Sequence, residues 1–259
     1  IGMKLIGKYL GMYFKSQLEY KSSFILTCIA QLLTVSLSSF MVFILMDKFD
    51  FLDSYNIYEL MLGVSIVQFG FSFSECFFRG FDKFEEVIKK GNLDLMLIRP
   101  RNIYVQVFGS NIEFTKISRV LGSLVLFIIA ISHIENILWI GIIYLCMLLL
   151  FSSMIYIALF IFSACFCFKT VEGLEFMNIF TDGSREFGQY PMGLFRREVV
   201  LVFTFLIPIA CVNYYPISYI LGRSNNIWYL VSPLLCIISL LIAILTFNKC
   251  IKHYEGAGS

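Results

Sequence analysis

ILWIGIIYLCMLLLFSSMIYIALFIFSACFCF, the stretch from Ile137 to Phe168, holds no charged side chain. As an α-helix it would rise about 48 Å, well past the roughly 30 Å hydrocarbon core of a bilayer. It is predicted to cross a membrane with a strong tilt or to project beyond it. Five further apolar runs flank it, at 23–46, 56–78, 120–131, 199–219 and 227–247. The run 120–131 is short and is expected to begin earlier, as the end of an amphipathic helix starting near Asn111. The run 199–219 contains Pro208 and Pro216, each of which removes a backbone donor and favours a kink or break. Trp228 and Tyr229 open the last run, where aromatic rings anchor at a membrane–water interface. The predicted fold class is all-α, a polytopic membrane protein with six transmembrane helices in a single domain spanning 1–259.

Composition agrees. The chain is 59% hydrophobic with a mean hydropathy of +0.82, and its 15% of charged residues cluster between the apolar runs. A soluble core of 259 residues cannot hide that much apolar surface. The net charge of +2 says little, but its distribution says more. Of the 20 Lys and Arg, only Lys48 and Arg223 fall on one side of the six-span reading. The others lie in 1–22, 79–119, 169–198 and the tail. Short loops rich in Lys and Arg stay cytoplasmic, so these segments and both termini are expected in the cytoplasm. No cleavable signal peptide is expected, because lysines interrupt 1–22 and no small-residue cleavage site follows the first run.

Residues 1–22 carry Lys4, Lys8 and Lys15 in one stripe opposite Met3, Ile6, Leu10, Tyr13 and Phe14. That pattern predicts a helix lying in the headgroup plane; a disordered basic leader is the alternative. In 56–78, Gly63 and Gly70 are seven apart on one face, where another helix can approach closely.

No GxxxxGK[ST] phosphate loop occurs, so the chain is not expected to hydrolyse ATP. With only His133 and His253, neither a Ser-His-Asp nor an HExxH site is available. Cys165 and Cys167 point roughly 200° apart on a helix. The eight cysteines read as buried thiols rather than metal ligands. No cofactor and no nucleic-acid partner is expected for this chain.

The best functional candidate is the hydrophilic stretch 79–119. Phe81 to Lys90 has helical periodicity, with Glu85, Glu86 and Lys89 on it, and Gly91 suits a C-terminal cap. Leu93, Asp94, Leu95 and Leu97 follow, closed by Arg99-Pro100. An apolar ridge rimmed by both charge signs suits docking into a partner's groove; an amphipathic helix lying on the membrane fits equally well. Glu75 has Arg79 at i+4, the spacing of a helix salt bridge. An interfacial ion pair and a buried acid facing a polar pathway both remain open. Gln31, Gln68, Glu75, Glu172 and Glu175 are candidates for lining a pathway, and Asn213, Tyr214 and Tyr215 for an outer gate. Glu59 is expected to be solvated near the outer surface.

Several stretches together carry a resemblance: Lys15-Ser-Gln-Leu-Glu-Tyr20, Phe77-Phe-Arg-Gly-Phe-Asp82 and Asp94-Leu-Met-Leu-Ile-Arg-Pro100. Glu172-Gly-Leu-Glu-Phe-Met-Asn178, Gly183-Ser-Arg-Glu-Phe-Gly-Gln-Tyr-Pro191, Val212-Asn-Tyr-Tyr-Pro216 and His253-Tyr-Glu-Gly-Ala-Gly-Ser259 continue it. In their order and spacing they resemble the ABC-2 type permeases, in the subfamily of six-span bacterial exporter subunits. The resemblance implies a bacterial plasma-membrane location and two paired permease chains, different or identical. It also implies two ATPase subunits beneath them, which bind the ATP and magnesium. On that reading 1–22 is the interfacial helix and about 81–100 the coupling helix that docks on an ATPase. Transport would proceed by alternating access. The chain departs from the family in its short outer loop, Gly222 to Trp228. Any outer re-entrant helix must therefore come from Pro208 to Leu221. An ATP-independent secondary transporter or an assembly scaffold is the alternative. The first usually shows repeated halves and a midplane ionisable residue, neither visible in the sequence, and the second has no use for a docking segment.

Overall fold

The computed structural model describes residues 2–48, 56–134, 137–170 and 174–254. The chain is all-α, with no strand among the described residues. Five helices are long and apolar enough to cross a membrane, and one bent pair makes a sixth candidate.

Helix α1 (Gly2–Glu19) leads into α2 (Lys21–Lys48). Helix α3 (Ile57–Asp82) starts at a capping box. Asn56 Oδ1 accepts from Tyr58 N at 3.2 Å, and Glu59 Oε2 accepts from Asn56 N at 3.0 Å, so two of the helix's orphan donors are satisfied. The expected end at Phe78 is a local kink with φ −113° and ψ 16°, and the helix continues to Asp82. Short helices α4 (Phe84–Lys89), α5 (Asn92–Ile98) and α6 (Ile103–Phe108) follow. Gly91, at φ +64°, turns the chain between α4 and α5 in the conformation a glycine cap supplies. Arg99 is extended at ψ 133°, as a residue preceding proline must be, and ends α5. Helix α7 (Ile117–His133) begins earlier than 120, after a 3-10 turn at Phe114–Lys116. Helix α8 is Trp139–Cys167.

The bundle has two ends. The basal end carries α4 to α6, the start of α7, and the C-terminal ends of α8 and α14 (Leu234–Lys252). There the ring of Phe247 touches Phe81, Phe84, Tyr104 and Phe168, with centroids 5.4–5.9 Å apart. This aromatic plug binds α3, α4, α6, α8 and α14 together. The distal end carries Asn56, His133, Ile137 and Gly222 around one opening.

Helix α3 is the axis of the bundle, packed mainly against α7 and α8. Gly70 meets α8 so closely that a Cβ there would stand 2.7 Å from the backbone of Ser152, while Gly63 faces the carboxamide of Asn213. Small residues let backbones approach where no hydrophobic drive separates helix from lipid.

Two expectations change here. The run 199–219 is not one continuous helix. It forms α10 (Arg197–Phe205), α11 (Ala210–Asn213) and α12 (Tyr215–Ile220), bent by 97° around the break before Ala210. Pro208 lies in that break, and the fold uses it. The segment before it does not stay at the basal end. Helix α9 (Leu174–Gly188) climbs along α3. Arg185 stands 4.8 Å over the ring of Phe71, Gly188 lies against Val67, and Gln189 to Met192 reach Glu59 and Leu60. Arg196 and Arg197, expected with the cytoplasmic basics, follow that climb directly. Four-residue α13 (Trp228–Val231) precedes α14.

Candidate functional site

The expected docking residues split between two faces of α4 and α5. Phe81 and Leu93, placed on the docking ridge by the sequence, are instead core residues at 2% and 0% exposure. Phe81 belongs to the aromatic plug, because α3 runs on to Asp82 and its last turn faces α14. Leu95, Leu97 and the adjoining Ile98 point outward, at 54%, 41% and 79% exposure. Around them Glu86, Lys89 and Arg99 are exposed, and Glu85 and Asp94 are half-buried. Glu85 pairs with Lys89, and Glu86 with Lys90 at 2.9 Å, both i to i+4.

This ridge is held firmly. Gln106 Nε2 donates to Met96 O at 2.9 Å and to Arg101 O at 3.2 Å, closing the α5–α6 turn. Tyr104 Oη donates to Asn248 Oδ1 at 2.9 Å, tying α6 to α14. On the other side, α1 is a helix docked on the loop before α7, not a disordered leader. Gln17 Nε2 donates to Ile112 O at 2.7 Å, its Oε1 accepts from Phe114 N at 3.0 Å, and Tyr13 Oη donates to Ser110 O.

Above the ridge lies a buried ionic node. Glu75 Oε2 accepts from Arg119 Nη1 at 2.7 Å. Glu75 Oε1 lies 3.2 Å from both Arg79 Nη1 and Lys116 Nζ. Arg79 also reaches Asp82 Oδ2 at 2.9 Å, and Lys83 holds Glu113 Oε1 at 2.9 Å. Burial alone would raise the Glu113 carboxyl. The Lys83 hydrogen bond and the charges of Arg79, Lys83 and Lys116 outweigh it and hold that carboxyl below its ordinary value. The i+4 pair with Arg79 was legible in the sequence. Arg119 and Lys116 were missed, since their approach depends on α3 and α7 packing side by side. The available signal was a pair of basic residues opening one apolar run at the depth where the neighbouring run ends in an acid.

Beside the node, a cleft separates α2 from α9. Gln68 is buried and donates to Ser38 Oγ at 3.4 Å, linking α3 to α2 across it. Gln31 lies on α2 with its Oε1 buried and unpartnered among the described residues. Glu172 lies outside the described residues, and Glu175 starts α9 with a side chain that is likewise outside them.

The gate candidates sit on the bent segment. Asn213 Nδ2 donates to Gly188 O, fastening α11 to α9. Tyr215 Oη shares a hydrogen bond with Thr204 Oγ1 at 2.9 Å, bridging the two arms of the bend, and its ring packs on Tyr214 and Tyr229. Glu59 is not simply solvated: besides capping α3 it pairs with Arg223, which latches the turn at Gly222 to the distal end.

No curated protein and no solved structure matches the chain. Residues 32–258 match the family described as ABC-2 family transporter protein, which covers every element described here except α1 and the first turns of α2. The chain therefore belongs to the ABC-2 family and is a membrane component of an ABC transporter.

Proposed function

We propose that the chain is the permease subunit of an ATP-driven exporter. It pairs with a second permease, identical or different, and two separate ATPase subunits bind ATP and magnesium beneath them. The observation that carries this reading is the ridge of Leu95, Leu97 and Ile98. It is exposed on a helix too short to cross a membrane, yet welded by Leu93, Gln106 and the Phe247 plug to the long helices. Such a ridge offers an ATPase an apolar handle whose movement the bundle must follow.

The basal end then faces the bacterial cytoplasm, with α1 along the inner membrane surface and both termini on that side. Helix α9 supplies the fifth crossing, and α10 to α12 dip in from the outside and return. Arg196 and Arg197 join Lys48 and Arg223 outside, and the basic excess still lies inward. Alternating access would swing the ridge and open a path beside α2 and α9, closed outside by the Glu59–Arg223 latch.

One observation favours the ATP-independent reading: Glu75 is an acid inside the bundle, as proton-coupled carriers need. It is, however, already committed to ion pairs with three cations, Arg79, Lys116 and Arg119.

Two experiments test the proposal. Tagged chain is purified in mild detergent from its host, and its companions are identified by mass spectrometry. A P-loop ATPase is expected; the intact chain alone, in detergents that preserve comparable complexes, would favour the ATP-independent alternative. Replacing Leu95 and Leu97 by Asp should abolish ATPase association with insertion and folding intact, since both side chains are exposed. Retained association sinks the docking assignment.

A further inference from the structure

We infer that the cleft between α2 and α9 binds an amphipathic anion, with its charged head between Arg119 and Arg185. The inference rests on the permease reading, whose substrate it would be. The cavity measures about 420 Å³, within the size range of small-molecule sites. Thr34 and Ser38 line it from α2, Gln68 from α3, Arg119 from α7, and Arg185, Glu186 and Tyr190 from α9 and the residues beyond.

Its charges are unbalanced. Arg119 is 6% exposed, with Nη1 committed to Glu75 and Nε without a hydrogen-bond partner among the described residues. The side chain nonetheless lines the cavity, so its positive charge faces a ligand there. Glu75 does not saturate Arg119, because Arg79 and Lys116 share the same carboxylate. Arg185 is fixed over Phe71 and donates from Nε to Glu186 Oε1 at 3.1 Å. Glu186 lines the same cavity and is 55% exposed against 22% for Arg185, whose guanidinium retains donors for a second acceptor. A cationic ligand would meet two guanidinium groups, and the acid lining the cleft, Glu186, is already paired with Arg185. A neutral apolar ligand would gain nothing from either guanidinium. The apolar part of the ligand has its own track, since Leu37 and Met41 line the same cavity from α2 and are 65% and 49% exposed. Carboxylate, sulfate and phosphate heads all fit this description, and the source is either a membrane lipid or a soluble amphiphile.

The test uses the full chain in phosphatidylcholine nanodiscs, titrated with a dansyl-labelled undecanoate and followed by fluorescence. Saturable binding is expected, displaced by dodecyl sulfate and not by dodecyltrimethylammonium. Arg185→Gln should weaken binding about tenfold, the loss of one charge-assisted hydrogen bond, and Arg185→Lys should restore most of it. Arg119→Gln should weaken it further. Because Arg119→Gln also disturbs the Glu75 node, the Arg185 pair decides the matter if that variant aggregates. Loss of probe binding in nanodiscs containing phosphatidylglycerol identifies an anionic lipid as the occupant, whereas unchanged binding there identifies a soluble amphiphile. Non-saturable uptake, equal displacement by the cation, or an unchanged affinity in Arg185→Gln overturns the inference. Intact anion binding with no co-purifying ATPase would sink the permease reading and leave the site standing. A bound ATPase with no anion binding would do the reverse.

Discussion

Helices α2 and α3 are both apolar enough to cross a membrane, yet α2 is largely exposed while most of α3 is buried. The less hydrophobic helix is the buried one. Inside a bilayer, lipid tails satisfy apolar side chains as well as protein does, so hydrophobicity does not decide what lies at the centre. Small and polar residues decide it. Helix α3 carries Gly63 and Gly70, which admit close neighbours, and Gln68, Ser74 and Glu75, which bond to them. Ser74 Oγ donates to Ser153 O on α8 at 3.0 Å. Helix α2 turns Ile29, Leu33, Leu37 and Phe40 outward, and its serines and threonines at 27, 34, 36 and 39 bond back to their own helix.

The comparison breaks first at Glu75. Glu75→Ala should leave Arg119, Arg79 and Lys116 gathered without their carboxylate, and destabilise by about 3–5 kcal/mol, read as a collapse of the thermal transition in detergent. A loss under about 1 kcal/mol would mean that the node is hydrated rather than buried. Gly70→Val comes next. Its Cβ must displace Ser152 of α8, and overpacking of this kind costs about 1–3 kcal/mol; no loss would mean that α3 and α8 are further apart than described. Gln68→Leu removes the hydrogen bond to Ser38 between the two helices and should cost only about 0.6 kcal/mol, the usual size of such a bond in a membrane bundle. Leu33→Ala on the open face of α2 should change stability by less than about 0.5 kcal/mol. A loss of 2 kcal/mol or more would sharpen the contrast differently, by indicating that a second permease covers α2 in the native assembly.

Glu113 adds a pH arm. Its folded carboxyl titrates below the ordinary value, so its contribution is complete above that value and fades as pH falls through the lower, folded one. Stability of the chain should therefore drop on acidification, and by less in Glu113→Gln. An identical acid profile in the variant would remove Glu113 from the account.

The segment 79–119 shows how far sequence reading reaches. Its helix-turn-helix form was legible, because Gly91 and Pro100 act locally through φ and ψ. Which of its leucines faces outward was only partly legible. Leu93 and Leu95 are two apart in one apolar run, and nothing in that run says which of them joins the buried core. The cleft was less legible still. Gln68 was singled out, but Arg185 sits in a stretch so polar that it reads as a loop outside the membrane.

By itself the sequence determined the class of the molecule, since a mean hydropathy of +0.82 and uncharged runs of bilayer length admit few other solutions, and a hydrogen-bonded backbone in lipid must be helical. Its motifs, in order, determined the family. The tertiary structure alone decided that α9 climbs along α3, that 197–220 bends by 97°, and that Glu75 and Arg79 of α3 meet Lys116 and Arg119 at the start of α7 in one node. Those outcomes depend on which polar groups find partners across helices far apart in the chain. Hydropathy counts a charge as costly wherever it stands, whereas the fold removes that cost by pairing it.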